Sequence, residues 1–167
     1  MVVATSANSI ALPQLISHSL YYYIRDKLDN DGLDSSYVKI INAYPISGAI
    51  VDAPLIVIDD GTISDEAFEL GGVDLATIYY TFDVYGKSQT QRNTLTWLLR
   101  TYLNDKRIDV KDYNEGFPPG ITDQTVLGVL QIIDIRIVPT VIVTEGEIPE
   151  NLRLLKQLEL SCQYILD

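Results

Sequence analysis

The groups in this chain that could do chemistry are few: one histidine, one cysteine, 23 Asp and Glu residues, and the hydroxyls. His18 is the single histidine, so no Ser-His-Asp or Cys-His arrangement can draw on any other imidazole. It sits beside the apolar face of an amphipathic segment, where a structural or surface histidine is expected rather than a general base. One histidine and one cysteine also exclude the usual His/Cys zinc sites within a single chain. Cys162 falls among apolar neighbours and is expected to be a buried, inert thiol. Alone, it cannot form an intrachain disulfide. Asp29-Asn30-Asp31-Gly32 looks briefly like a calcium loop. Setting Gly32 at the required glycine puts Lys27 and Val38 at ligand positions, and neither side chain can coordinate calcium. Asp59 and Asp60 form a carboxylate pair on paper, but neighbours in a strand point to opposite faces and Gly61 signals a tight turn. No glycine-rich phosphate loop occurs. The sequence therefore predicts no catalytic residue, no cofactor and no metal.

Composition narrows the class further. Hydrophobic residues make up 47% of 167 residues, enough for one domain with a real core, so a single domain spanning 1–167 is expected. Twelve Lys and Arg against 23 acids give a net charge of −11. That balance opposes nonspecific binding to nucleic acid or to an anionic membrane. Lys106, Arg107 and Lys111 are the one basic cluster, interrupted by acids and expected to be a solvated loop. Met1–Ser9 lacks the basic start and apolar run of a secretory signal, and no apolar run approaches the ~20 residues of a membrane-spanning helix. A soluble protein made in the cytoplasm is the expectation.

The elements that would position any site follow from periodicity. Residues 1–10 read as a loose arm. Pro13 suits a first helical turn, and Leu12, Leu15, Ile16, Leu20, Tyr23, Ile24 and Leu28 fall on one face of a helix ended by Gly32. Tyr37–Ala43 and Leu55–Ile58 read as strands. Asp59-Asp60-Gly61 predicts a hairpin returning Ile63–Leu70 onto Leu55–Ile58. Thr77–Tyr85 is dense in β-branched and aromatic residues and predicts a strand. After Gly86-Lys87, Ser88-Gln89-Thr90-Gln91 predicts a capping box opening a helix whose Leu95, Leu98, Leu99, Tyr102 and Leu103 share a face. Residues 104–125, rich in Asp, Gly and Pro, predict a long loop with a short strand at Ile108–Val110. Val126–Val138 reads as a long strand with Val129, Ile133, Ile135 and Ile137 on one face, ended by Pro139 and resumed at Val141–Val143 beyond a kink. In Leu152–Leu166 the leucines suggest helix, but their alternation with polar residues argues for a strand. The sum is an α+β fold, a mainly antiparallel sheet with two principal helices on one face.

Eleven tyrosines stand out. Tyr21-Tyr22-Tyr23 occupies three helical directions, and Tyr79 and Tyr80 oppose each other across a strand, so some rings must leave the core. Tyrosine outside the core suits protein–protein contact, being apolar in body and polar at the tip.

This order of elements resembles the bacteriophage tail-terminator and tail-completion family of small neck proteins. The resemblance rests on the helix Leu12–Leu28, the strand ending Phe82-Asp83-Val84-Tyr85-Gly86, the helix Gln91–Leu103 directly after it, and the late strands Val126–Val138 and Leu152–Leu166. In that family such a strand leads into a helix that packs across the sheet. The chain departs from the pattern at 44–76 and at 104–125. The resemblance implies a virion protein, assembled in the host cytoplasm, that forms a ring, commonly of six copies. Such a ring caps a tail tube or sheath, offers a docking face to the head-side connector, and needs no enzyme activity. Its partners would be itself, a tube or sheath protein and the connector, with no sequence-specific nucleic acid and no membrane. Exposure and apolarity pick Tyr113, Glu115 and Phe117 on the long loop, with Val141 and Ile142 past Pro139, as candidate subunit contacts. Another neck or baseplate role, a small α+β enzyme and a peptide-binding module are the alternatives.

Overall fold

A computed structural model describes residues 10–42, 54–64, 77–104, 107–142 and 154–166. Two helices, α1 (Leu12–Asn30) and α2 (Gln89–Leu103), accompany six strands: β1 (Lys39–Asn42), β2 (Leu55–Ser64), β3 (Thr77–Tyr85), β4 (Arg107–Lys111), β5 (Val126–Ile142) and β6 (Leu154–Leu166). They form one sheet in the order β1-β2-β3-β6-β5-β4, antiparallel throughout except for β1 on β2. The α+β class expected from periodicity is the class found.

Both helices lie on one side of this sheet and share one core with it. Leu15, Ile16, Leu20, Ile24 and Leu28 of α1 meet Leu95, Leu99 and Leu103 of α2 over Ile56, Ile58, Ile78, Tyr80, Phe82, Val84, Leu158, Leu160 and Cys162. Fully burying a side chain of this kind stabilises the fold by roughly 1.5–3 kcal/mol each. α2 packs on the middle strands β3, β5 and β6, whereas α1 reaches β4 at one end of the strand order and β1 and β2 at the other.

The helix ends show why the chain turns where it does. Gly32 takes φ +76°, Gly32 N–H donates to Asp29 O at 3.0 Å and Leu33 N–H to Leu28 O at 2.8 Å, the paired bonds of a Schellman ending. At the start of α2, Ser88 Oγ accepts from Gln91 N–H at 3.2 Å, while Gln91 Oε1 accepts from Lys87 N–H at 2.8 Å. The capping box therefore closes one residue further back than the sequence predicts. Tyr102 at the end of α2 donates its hydroxyl to Asp31 at the end of α1, and Tyr23 donates to Tyr102 O at 2.8 Å.

Three expectations are corrected, all by β-bulges. Asp59-Asp60-Gly61 does not turn: Leu55–Ser64 is one strand, and between Asp59 and Thr62 it gains a residue on β3, so Ile63 and Ser64 pair with Ile78 and Thr77 and not with Leu55–Ile58. Residues 65–70 lie outside the described residues, as do the arm at 1–9 and Val143. Pro139 does not end β5. It falls at a second bulge, between Val138 and Val141, a position where a missing N–H removes no regular ladder bond. The third bulge, between Ile132 and Asp134, changes which side chains face the core. Gly128, Leu130 and Ile132 face inward before it and Ile135 and Ile137 after it, while Ile133 is 54% exposed. Gln131 is exposed on the outer side.

Candidate functional site

The segment singled out by sequence as contact material is smaller and tighter than a long loop. Residues 107–111 are strand β4, and the remainder, 112–125, is closed at its base. Asp112 N–H donates to Thr125 O at 2.9 Å, and Glu115 accepts from Thr125 N–H at 2.8 Å and from its hydroxyl at 2.7 Å. Gln124 donates to Ile121 O at 2.7 Å and to Gly116 O at 3.1 Å. Gly116 carries φ +133°, and a Cβ there would sit 2.8 Å from Ile121 Cδ1. The backbone angle therefore calls for glycine.

An aromatic stack fixes the inner side of this loop to α1. Tyr113 lies between Tyr22 (5.3 Å between ring centroids) and Phe117 (5.4 Å), and His18 meets Phe117 edge-on at 5.1 Å. Tyr113 is buried, which corrects the exposure that recommended it as a contact, and burial pushes its hydroxyl up to about 12. Phe117 is 42% exposed, and Glu115 is exposed although both its oxygens are engaged at the loop base. Val141 and Ile142 belong to β5, paired with Leu155 and Leu154 of β6, rather than to a segment beyond a kink. The structure thus gathers Tyr113, Glu115 and Phe117 in one loop and leaves Val141 and Ile142 in the sheet.

Between α1, β4 and this loop runs a cleft of ≈ 660 Å³. Arg25, Arg107 and Lys111 line it together with Asp26, Asp29 and Asp109, so its fixed charges balance. Arg25 is committed to the fold: it pairs with Asp29 at 2.7 Å and donates to Val38 O at 2.7 Å and to Leu33 O. Lys111 N–H donates to Ser19 Oγ at 3.0 Å, joining β4 to α1. Among the described residues no three or more of His, Cys, Asp and Glu cluster to hold a metal ion. Cys162 is fully buried with its thiol on Ile78 O at 3.3 Å, and burial raises its pKa to about 12.

The side of the sheet opposite α1 and α2 is the second surface. Tyr79 is 49% exposed there, beside a shallow hollow lined by Thr81, Asp134, Arg136, Glu159 and Ser161. Toward one end of the same side, Asp83 is buried at 2% exposure with Oδ1 lacking a hydrogen-bond partner. Desolvation raises its pKa, partly opposed by a hydrogen bond from the Gln157 side chain on the facing strand. Tyr85, next along the same side, is raised to about 12 by burial and by the neighbouring Asp83. Sequence reasoning missed Asp83. A charged residue inside Phe82-Asp83-Val84 was the available signal, and alternation alone reads it as solvated.

No known protein-family model matches the chain, and no curated protein matches it. Over 93% of its length the chain is similar to one in a solved structure described as "Virion of native gene transfer agent (GTA) particle". The match covers 98% of that chain at 8% identity, with a TM-score of 0.48. No helix among the described residues is long and apolar enough to cross a membrane.

Proposed function

We propose that the protein is a structural component of a phage-type virion. Within that class we assign it to the ring-forming tail-terminator or tail-completion proteins, which close a tail tube or sheath and present a docking face to the head-side connector. The ring consists of copies of this chain, six on the family pattern, and works by shape and charge with no bond made or broken. One observation carries the reading. Both helices stack on a single side of the sheet, and the opposite side offers Tyr79 and Ile133, about half exposed, beside Asp134, Arg136 and Glu159. An apolar centre with a charged surround is the composition of a subunit contact rather than of a solvated sheet face. The strand–helix unit of β3 and α2, with the long β5–β6 pair, supports the same reading through its resemblance to the family. The net charge of −11 per chain, repeated around a ring, suits a lumen that must not hold passing DNA.

Size-exclusion chromatography with light scattering, followed by negative-stain imaging of the largest species, tests this. Annular particles, or binding to the end of purified tail tubes, is the expected result. A protein that stays monomeric at high concentration and leaves tube ends uncovered overturns the reading. So does turnover of a small substrate that is lost with one specific Asp or Glu.

A further inference from the structure

β4 ends the strand order, so one of its sides has no strand beside it among the described residues. Its five residues show which backbone groups lie there. Ile108 and Val110 are buried toward the core, whereas Arg107 and Asp109 are exposed. Asp112 N–H turns toward the β5 side, bonding Thr125 O, and Lys111 N–H turns away from it, to Ser19 Oγ. Amides two residues apart in a strand point the same way, so those of Asp109 and Arg107 point outward with Lys111. Only the last of the three is covered by α1. The open amides face the ≈ 660 Å³ cleft, which is walled by Tyr22 and Asp26 of α1 and by Pro118 and Pro119 of the loop. A strand edge at the bottom of a walled cleft is a template for one more extended segment.

We infer that this cleft receives residues 1–9 of a neighbouring copy as an added strand on β4. Three observations select that occupant. The cleft's cations and carboxylates are equal in number, so it favours neither sign, and Met1–Ser9 is a run without charged side chains or proline. Reach is sufficient: nine residues extend to about 30 Å, against about 17 Å for the five of β4. The chain also departs at the right place, for Ile10 N–H is held by Asn114 of the cleft-walling loop at 2.6 Å. Ala11, where the chain enters α1, is extended (φ −69°, ψ 151°) and outside the helix. The choice of donor rests on the ring reading above; the strand-addition chemistry of the cleft does not.

Full-length chains test it by crosslinking in trans. One chain carries Ser6→Cys and the other Thr122→Cys, a residue lining the cleft, and the two are mixed with a short bis-maleimide; Cys162 is too buried to compete. Crosslinked dimer is expected from the mixture and from neither chain alone. Asp109→Pro in the acceptor removes an outward amide, a change tolerated on an edge strand, and is expected to cut the yield at least tenfold. Asp109→Ala, which removes only the side chain, leaves it unchanged. Arg107→Pro, at the first residue of the strand, replaces Asp109→Pro if circular dichroism shows that variant unfolded. Absence of dimer, equal yields from the proline and alanine variants, or crosslinking only within a chain carrying both cysteines overturns the inference. Annular particles that form from the mixed Ser6→Cys and Thr122→Cys chains without any crosslink overturn it too and leave the ring reading standing. Crosslinking as expected without any annular particle removes the ring reading and leaves the cleft assigned.

Discussion

Replacing Asp83 by Asn should stabilise the protein at neutral pH, and the gain should vanish in acid. Asp83 is 2% exposed, with Oδ1 unpartnered and Oδ2 left to the Gln157 side chain. Burial therefore raises its pKa above the unfolded value of about 3.9. With the folded pKa the higher one, the native state holds the proton over the interval between the two values, and stability falls as pH rises through it. Below the unfolded value both states are protonated and nothing is lost. Above the folded value the penalty is complete. An unsatisfied buried polar group costs about 1–3 kcal/mol, more when charged, and Asn removes the charge while keeping the shape. A gain of about 2 kcal/mol corresponds to about 4–8 °C in melting temperature for a chain of this size. Urea midpoints of wild type and Asp83→Asn at matched concentration, from pH 3.5 to 8, measure it, because the other carboxylates cancel in the difference. A difference that does not change with pH, or an Asn variant less stable at pH 7, would refute the argument.

Three other outcomes follow from local geometry. Ser88→Ala should cost about 1 kcal/mol in denaturant unfolding through loss of the α2 cap, and Gln91→Ala should cost less on that background than alone, since the two side chains close one turn. Gly128→Ala should destabilise by about 1–3 kcal/mol, because a Cβ would lie 2.4 Å from Ile165 O and 2.8 Å from the Tyr164 ring; thermal melts with intact far-ultraviolet dichroism below the transition check it. Cys162 should resist a thiol reagent at pH 8 in the native protein and react fully in 6 M guanidinium, as read by absorbance of the released chromophore.

Periodicity located every described element, because each buries one face and so repeats at its own period. It even identified β6 against its leucine content: Leu158, Leu160 and Cys162 are buried on one side while Glu159 stays exposed. What periodicity could not supply was phase. Each bulge inserts one residue and exchanges the faces beyond it, and nothing local distinguishes Asp59-Asp60-Gly61 in a bulge from the same residues in a hairpin. The face expected for β5 failed for this reason at Ile133. Long-range pairing was equally illegible. Tyr113 looked like an exposed loop aromatic until α1, 91 residues earlier at Tyr22, supplied a stacking partner.

The same limitation explains where the candidate surfaces lie. Sequence reasoning sought contact residues by apolarity on loops, and the loop proved to engage three of its larger side chains internally or on α1: Glu115 on Thr125, Gln124 on Ile121 and Gly116, and Tyr113 on Phe117 and on Tyr22 of α1. A loop so closed acts as a rigid wall. The groups it leaves available are backbone amides on β4, which carry no side-chain signature and become visible only when the strand order shows β4 at an edge. α1 lies along that edge but covers only Lys111 N–H, through the single hydroxyl of Ser19. Ser19→Ala therefore separates two roles for this hydroxyl. If it merely joins α1 to β4, the variant loses about 1 kcal/mol of stability and nothing else. If it also sets where the open edge begins, the variant exposes a third outward amide, and trans-crosslinking of the arm should rise while stability falls.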